Sequence, residues 1–262
     1  MRIMIYSESS HPLAEHLRRT LDGHQIVHRN SKYYRGEIEP CDVVLVSGFR
    51  KEGRAISKGY SEIVPVLVID WGYFARVNVP SERHKGHWQV SPYRLNNPPQ
   101  FACPDDRFAA TGLKIKAKGG KADGYALVCG QMPMDGAVLD HDHAAWLRKQ
   151  VSVWADPVYR EHPRGGVKLQ GVKTNSGSLD SAFSGARVVV THNSNIGHEA
   201  LLAGLPVMCS EIAPYASLSG EKAASVAERK EYFSRAAYGQ WLWSELPDGI
   251  MYTLENLHRW NT

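Results

Sequence analysis

The chain lacks the features that would settle its class at once. No apolar run reaches about 18 residues, the length a membrane helix needs, so no membrane span is expected. Its four cysteines, Cys41, Cys103, Cys129 and Cys209, form no Cys-x-x-Cys pair, which excludes the common zinc and dithiol-redox motifs. Cys129 and Cys209 lie in strand-like apolar runs and are expected to be buried free thiols, and a reducing cytoplasm fits. There is no short-period repeat and no low-complexity tract. The opening Met1-Arg-Ile-Met-Ile-Tyr6 turns polar too soon for a secretion signal and reads as a first strand. Strong charge of one sign is missing as well. A net charge of +4 with a pI near 8.8 permits an anionic partner, such as a nucleotide or nucleic acid, without demanding one.

What is present is an ordinary globular composition. The 262 residues are 43% hydrophobic and 22% charged, enough for one large or two small domains. Strands and helices alternate in the first part. Strands are expected at 2–7, 25–28, 42–47 and 64–70, with helices at 11–21 and 51–60. Such alternation predicts a parallel sheet covered by helices. From Trp71 to about Asp123 the periodicity fails, and the segment reads as an ordered excursion plus a crossing between domains. A second alternating block starts at Tyr125, with strands at 125–131, 158–162 and 188–191 and a helix at 142–154. The segments 221–238 and 249–259 read as helices. The expected division is 1–120, 121–240 and a tail at 241–262 that either crosses back to the first domain or packs on the second.

The most informative stretch runs from Arg187 to Ser210. Val188-Val189-Val190 is apolar without alternation, as in a strand covered on both faces. Asn193, Ser194 and Asn195 are N-cap residue types placed before Ile196. Gly204 sits where a C-cap glycine belongs, with Pro206 shortly after. A helix thus opens at the carboxyl end of a parallel strand. That is where open α/β sheets bind ligands and where a helix N-terminus favours phosphate.

The motif Gly197, Glu199, Ala200, Leu201, Gly204, Pro206 and Val207 resembles the nucleotide-binding half of glycosyltransferases with two Rossmann-like domains (GT-B). The resemblance implies two α/β domains with parallel sheets facing across a cleft, in a small version. It implies metal-independent transfer from a nucleotide-sugar co-substrate, for instance a UDP-sugar, with no further cofactor. Glu199 then inherits the role of holding the donor ribose, and Ser194, Asn195 and Gly197 face the phosphates. Tyr159-Arg-Glu-His-Pro-Arg164 resembles the Lys-x-His-Pro segment of capsule-type transferases, so Arg160, His162 and Arg164 are donor-site candidates on one side of a strand end. Gly130 would let a donor approach the backbone, and Gln131 follows it at the cleft. Asp135 lies in the next loop.

Acceptor chemistry is expected from the first domain. Asp70 closes a buried strand and is the candidate general base, with His11 as runner-up because histidine titrates near neutrality. Ser10 lies beside His11. The segment from Asp70 to Asn96 mixes aromatic residues with arginines and resembles segments of phage-encoded proteins of this transferase type. Arg76, His87 and Trp88 are its acceptor-site candidates. Aromatic faces and arginines suit sugars or extruded bases, so double-stranded DNA carrying a hydroxymethylated pyrimidine is the first acceptor expected. A surface polysaccharide acceptor is one alternative, and a non-catalytic nucleotide- or nucleic-acid-binding protein of the same fold is another. Asp140-His-Asp-His143 reads as a helix start with an aspartate cap and not as a metal site.

Overall fold

The computed structural model describes residues 1–74, 77 and 80–260, with Pro80 and Arg83 described by backbone alone. The chain forms two compact α/β units, residues 1–107 with 234–262, and residues 108–233.

The first unit begins with β1 (Arg2–Ser7), α1 (Leu13–Thr20), β2 (Gln25–Asn30), β3 (Val43–Ser47), α2 (Lys51–Tyr60) and β4 (Val66–Trp71). β2-β1-β3-β4 form a parallel sheet. The sheet is extended by β5 (His87–Pro92), antiparallel to β4. β5 falls inside the stretch where the sequence shows no periodicity. Its polar Gln89 and Ser91 are buried and satisfy each other, Ser91 Oγ donating to Gln89 Oε1 at 3.0 Å, so the strand does not alternate.

Strand pleating sends alternate residues to opposite faces. Ile3, Ile5, Val43, Leu45, Leu67 and Ile69 meet Leu13 and Leu17 of α1 on one face. Met4, Tyr6, Val44, Val46 and Val66 meet Ile56 and Tyr60 of α2 on the other. Full burial of each such aliphatic side chain contributes roughly 1.5–3 kcal/mol.

α3 (Asp106–Ala110) spans the boundary between the units. The second unit contains β6 (Tyr125–Cys129), α4 (His143–Val153), β7 (Pro157–Arg160), α5 (Leu179–Ser184), β8 (Ala186–Thr191), α6 (Ile196–Ala203) and β9 (Val207–Met208). Its four strands are all parallel, in the order β7-β6-β8-β9. α6 ends at Gly204, whose φ of 82° is left-handed and suits glycine alone at low cost. Leu147 of α4 packs on Ala126, Val128, Val188 and Val190.

α7 (Val226–Ala237) carries Arg229, which is 0% exposed. Its guanidinium donates to the carbonyls of Leu201, Lys116, Ala117, Ala224 and Ser225. A cation is favoured there by the carbonyl end of α6. β10 (Gln240–Leu242), α8 (Leu246–Glu255) and α9 (Leu257–Trp260) belong to the first unit. There β10 pairs antiparallel with β5, and Leu246 and Ile250 complete the α1 face.

Candidate functional site

In an open α/β sheet the ligand crevice lies where the strand order reverses. In the second unit that point falls between β6 and β8. Two loops flank it, and Gln131 and Asn193 join them. Gln131 Nε2 donates to Asn193 Oδ1 at 2.7 Å, and the Asn193 amide donates to Gln131 Oε1 at 3.1 Å. The Gln131 amide donates to His143 Nε2 at 2.9 Å, and Asn193 Nδ2 to the Ala137 carbonyl at 2.9 Å. Gln131 and Asn193 are 5% and 6% exposed. The amide side chain of Gln131 is therefore spent on the protein and not offered to a donor.

Beside this pair lies an imidazole cluster. His141 and His192 stack face to face, centroids 4.1 Å apart, and His143 stacks on Trp146. Burial, with His141 nearby, holds His143 and His192 down at about 4, so both are neutral at pH near 7. His143 accepts an amide at Nε2, so its proton sits on Nδ1. That nitrogen, both ring nitrogens of His192, His141 Nε2 and Thr191 Oγ1 are buried without a hydrogen-bond partner. Buried polar atoms are usually paired, and an unpaired one costs about 1–3 kcal/mol. Sequence reasoning missed Asn193 and His192 as site residues; only the local Asp-His-Asp-His pattern drew notice to His141 and His143. Asp142 is the N-cap of α4, accepting the Ala145 amide at 2.8 Å. Among the described residues no group of three His, Cys, Asp or Glu side chains converges as a metal set.

The donor-site candidates sort into several kinds. Arg160 ends β7 and donates to Asn175 Oδ1 and the Gly177 carbonyl at 2.9 and 2.8 Å. His162 and Arg164 do not continue the strand. They form a turn in which the Gly165 amide bonds the His162 carbonyl and the Arg164 amide bonds His162 Nδ1. The three residues therefore do not alternate on one face. Glu199 is exposed in the first turn of α6. Burial pushes the Cys129 thiol up to about 12, with the Arg160 charge lowering and the Glu199 charge raising it.

Gly130 and Gly197 have reasons other than the expected one. A Cβ on Gly130 would lie 2.5 Å from the Tyr159 hydroxyl, which donates to the Val167 carbonyl. A Cβ on Gly197 would overlap the Tyr215 ring, whose hydroxyl donates to the Ser194 carbonyl at 2.6 Å. Both glycines admit a tyrosine, not a ligand. The amides of Gly197, His198 and Glu199 bond back to the Ser194 and Asn195 carbonyls, so only the very start of α6 remains for phosphate. Ser194 Oγ meets the Ile196 amide at 3.5 Å, and Asn195 makes no side-chain cap.

In the first unit the strand order reverses between β1 and β3. His11 Nε2 meets Ser47 Oγ at 3.3 Å there, and His11 Nδ1 accepts the Leu13 amide at 3.3 Å. The neutral ring therefore carries its proton on Nε2 and donates to Ser47, an arrangement that favours a donor over a base. Ser10 is exposed beside it. Asp70 is half-buried near the end of β4, and its Oδ1 accepts the Trp71 amide at 2.7 Å.

Trp71 stacks on Trp88 at 4.6 Å, and Trp243 packs edge-on to Trp88 at 5.0 Å. Trp88 is 2% exposed; the indole belongs to the core and cannot stack on an acceptor. His87 is half-buried, and burial lowers its pKa. Arg76 lies outside the described residues.

Two α/β units, each with a strand-order reversal and helices on its sheet, place the chain in the fold class of two Rossmann-like domains, GT-B-like. The solved structures similar to it include two transferases of KpsC. The β-Kdo 2,4 transferase of KpsC from Thermosulfurimonas dismutans matches with a TM-score of 0.60 and 18% identity, over 90% of each chain. The β-Kdo 2,7 transferase of the same KpsC matches with a TM-score of 0.54 and 16% identity, over 97% of this chain and 100% of that one. At such identities the likeness is one of fold. No protein-family model matches the sequence, and no curated protein matches it. Among the described residues no helix is long and apolar enough to cross a membrane.

Proposed function

We propose that the chain is a glycosyltransferase whose second unit holds a nucleotide-sugar donor at the carboxyl edge of its sheet. The observation that carries this is the concentration of buried, unpaired polar atoms of Thr191, His141, His143 and His192 at the strand-order reversal. A polar ligand seated there supplies the missing partners once the loop over them opens. Glycosyl transfer needs a stabilised leaving phosphate, a held donor and a positioned hydroxyl. Ser194, Asn195, Arg160 and His162 surround the phosphate end in this reading, and Glu199 takes the ribose hydroxyls. Asp70 serves as the base toward the acceptor hydroxyl, and His11 as a hydrogen-bond donor.

Kdo is the first sugar to test, because the two structures compared above are Kdo transferases, and a saccharide hydroxyl is the first acceptor. A hydroxymethylated DNA base loses its main support, since Trp88 is buried in the core. Thermal-shift screening of CMP-, UDP-, GDP- and dTDP-sugars tests the reading, followed by mass analysis of saccharide and of hydroxymethylated DNA incubated with the best donor. Stabilisation by a nucleotide sugar and a mass increase on saccharide are expected. No shift with any donor overturns the proposal.

A further inference from the structure

Four separate chain segments are tied together at the carboxyl edge of the second sheet, and the ties run in one unbroken line. His143, at the start of α4, accepts the Gln131 amide. The Gln131 side chain and Asn193 exchange two hydrogen bonds across the reversal. Asn193 Nδ2 holds the Ala137 carbonyl in the 132–142 loop. The preceding residue, His192, offers its carbonyl to both the amide (3.0 Å) and the hydroxyl (2.8 Å) of Ser210 after β9. The Asp135 turn within the loop is closed by its own bonds, Oδ1 accepting the Ala137 amide at 2.9 Å and its carbonyl the Val138 amide at 3.0 Å.

From this line we infer that Gln131, Asn193 and His143 are positioning residues. They fix the spacing of the β6 and β8 loops and press the 132–142 loop onto the imidazole cluster, so that loop mobility governs entry of the donor phosphate. The inference rests on the donor-site reading for its ligand, but the clamp itself is a property of the loops. The amide pair is suited to the task because each side chain both donates and accepts, so neither can rotate without losing two bonds. Neutral His143 completes it, because a protonated ring could not accept the Gln131 amide.

The bonds of the two amide side chains have separable contributions. Asn193→Asp keeps an acceptor for Gln131 and loses the bond to Ala137. Gln131→Glu keeps the acceptor for the Asn193 amide and loses the donor to Asn193 Oδ1. Asn193→Ala loses all its side-chain bonds.

The test is hydrogen-exchange mass spectrometry on the full chain, alongside calorimetric titration with cytidine 5′-monophosphate and uridine 5′-diphosphate. Asn193→Ala is expected to speed amide exchange at least about ten-fold across 132–142 while leaving the β6 and β8 amides as protected as before. Asn193→Asp should show the faster exchange chiefly at 136–142. Nucleotide affinity should fall about ten-fold in Asn193→Ala and less in Asn193→Asp. Unchanged exchange at 132–142 in Asn193→Ala overturns the clamp. So does faster exchange spread evenly over 108–233, which marks plain destabilisation. If the wild-type chain binds neither nucleotide, the donor-site reading fails for these two, and the exchange pattern alone decides the clamp.

Discussion

The carboxyl edges of the two sheets meet the same topological situation in different ways. Each sheet reverses its strand order once, between β1 and β3 in the first unit and between β6 and β8 in the second. In the first, hydroxyls and rings pair locally: Ser7 with His28 at 2.9 Å, Ser9 with Asn30 at 2.7 Å, Ser47 with His11 at 3.3 Å, while His16 Nε2 and His87 Nδ1 are buried without a partner and form no cluster among the described residues. Trp71, Trp88 and Trp243 pack nearby. In the second, a buried amide pair bridges the loops and a cluster of imidazoles is left with unpaired nitrogens. In the proposed function the second edge, with its buried unpaired polar atoms, is the one that takes the polar ligand. In the same proposal the first edge supplies one carboxylate, Asp70.

The strongest way to break the comparison is to remove one side of it. Arg229→Met strips five carbonyls of their buried cationic donor and should cost about 3 kcal/mol or more. Urea melts of the full chain check it, and an unchanged midpoint would mean those carbonyls have other partners. Asp70→Asn comes next: transfer should fall about a hundred-fold, the scale of a lost general base, with nucleotide affinity unchanged. Equal losses in both would move Asp70 out of the acceptor role.

Two glycines sharpen the contrast further. Gly197→Ala drives a methyl into the Tyr215 ring and should cost about 1–3 kcal/mol. Gly48→Ala meets open space and only the strain of a φ of 82°, about 1 kcal/mol. Reversal of that order in thermal melts would contradict the packing at α6.

Acid supplies the gentlest probe. His143 and His192 at about 4 and His198 at about 3 are held down chiefly by burial. Their folded values lie below the value of about 6.5 in an unfolded chain, so the unfolded state takes up protons first. The second unit keeps its full stability above about pH 6.5 and loses it as pH falls toward 4. In the first unit His16, His28 and His87 are lowered in the same direction, but among the described histidines the large shifts fall in the second unit. Pepsin digestion at about pH 4.5 should therefore cut within 108–233 before 1–107. First cuts in 1–107 would show that the histidine burial does not set acid stability.

Much of the fold was legible because its signals are local. The runs Val43–Ser47 and Ala186–Thr191 read as buried strands, and Gly204 announced the end of α6. β5 and β10 were not, because β5 hides a polar Gln89–Ser91 pair and β10 has three residues. The site was legible only in outline. Gln131 and Asn193 are 62 residues apart, and nothing in either neighbourhood reveals a reciprocal bond. Gly130 drew notice for its small size and Gly197 as part of the motif, but the tyrosines they admit, Tyr159 and Tyr215, lie far along the chain.

The account stands on a donor nucleotide bound at the second unit's edge. Calorimetric titration of cytidine 5′-monophosphate and uridine 5′-diphosphate into the wild-type chain, Glu199→Ala, His192→Ala and Asp70→Asn tests this most directly. The prediction is saturable binding of at least one nucleotide, weakened about ten-fold or more in the Glu199 and His192 variants and unchanged in Asp70→Asn. Binding that survives both second-unit changes and is lost with Asp70 would contradict it.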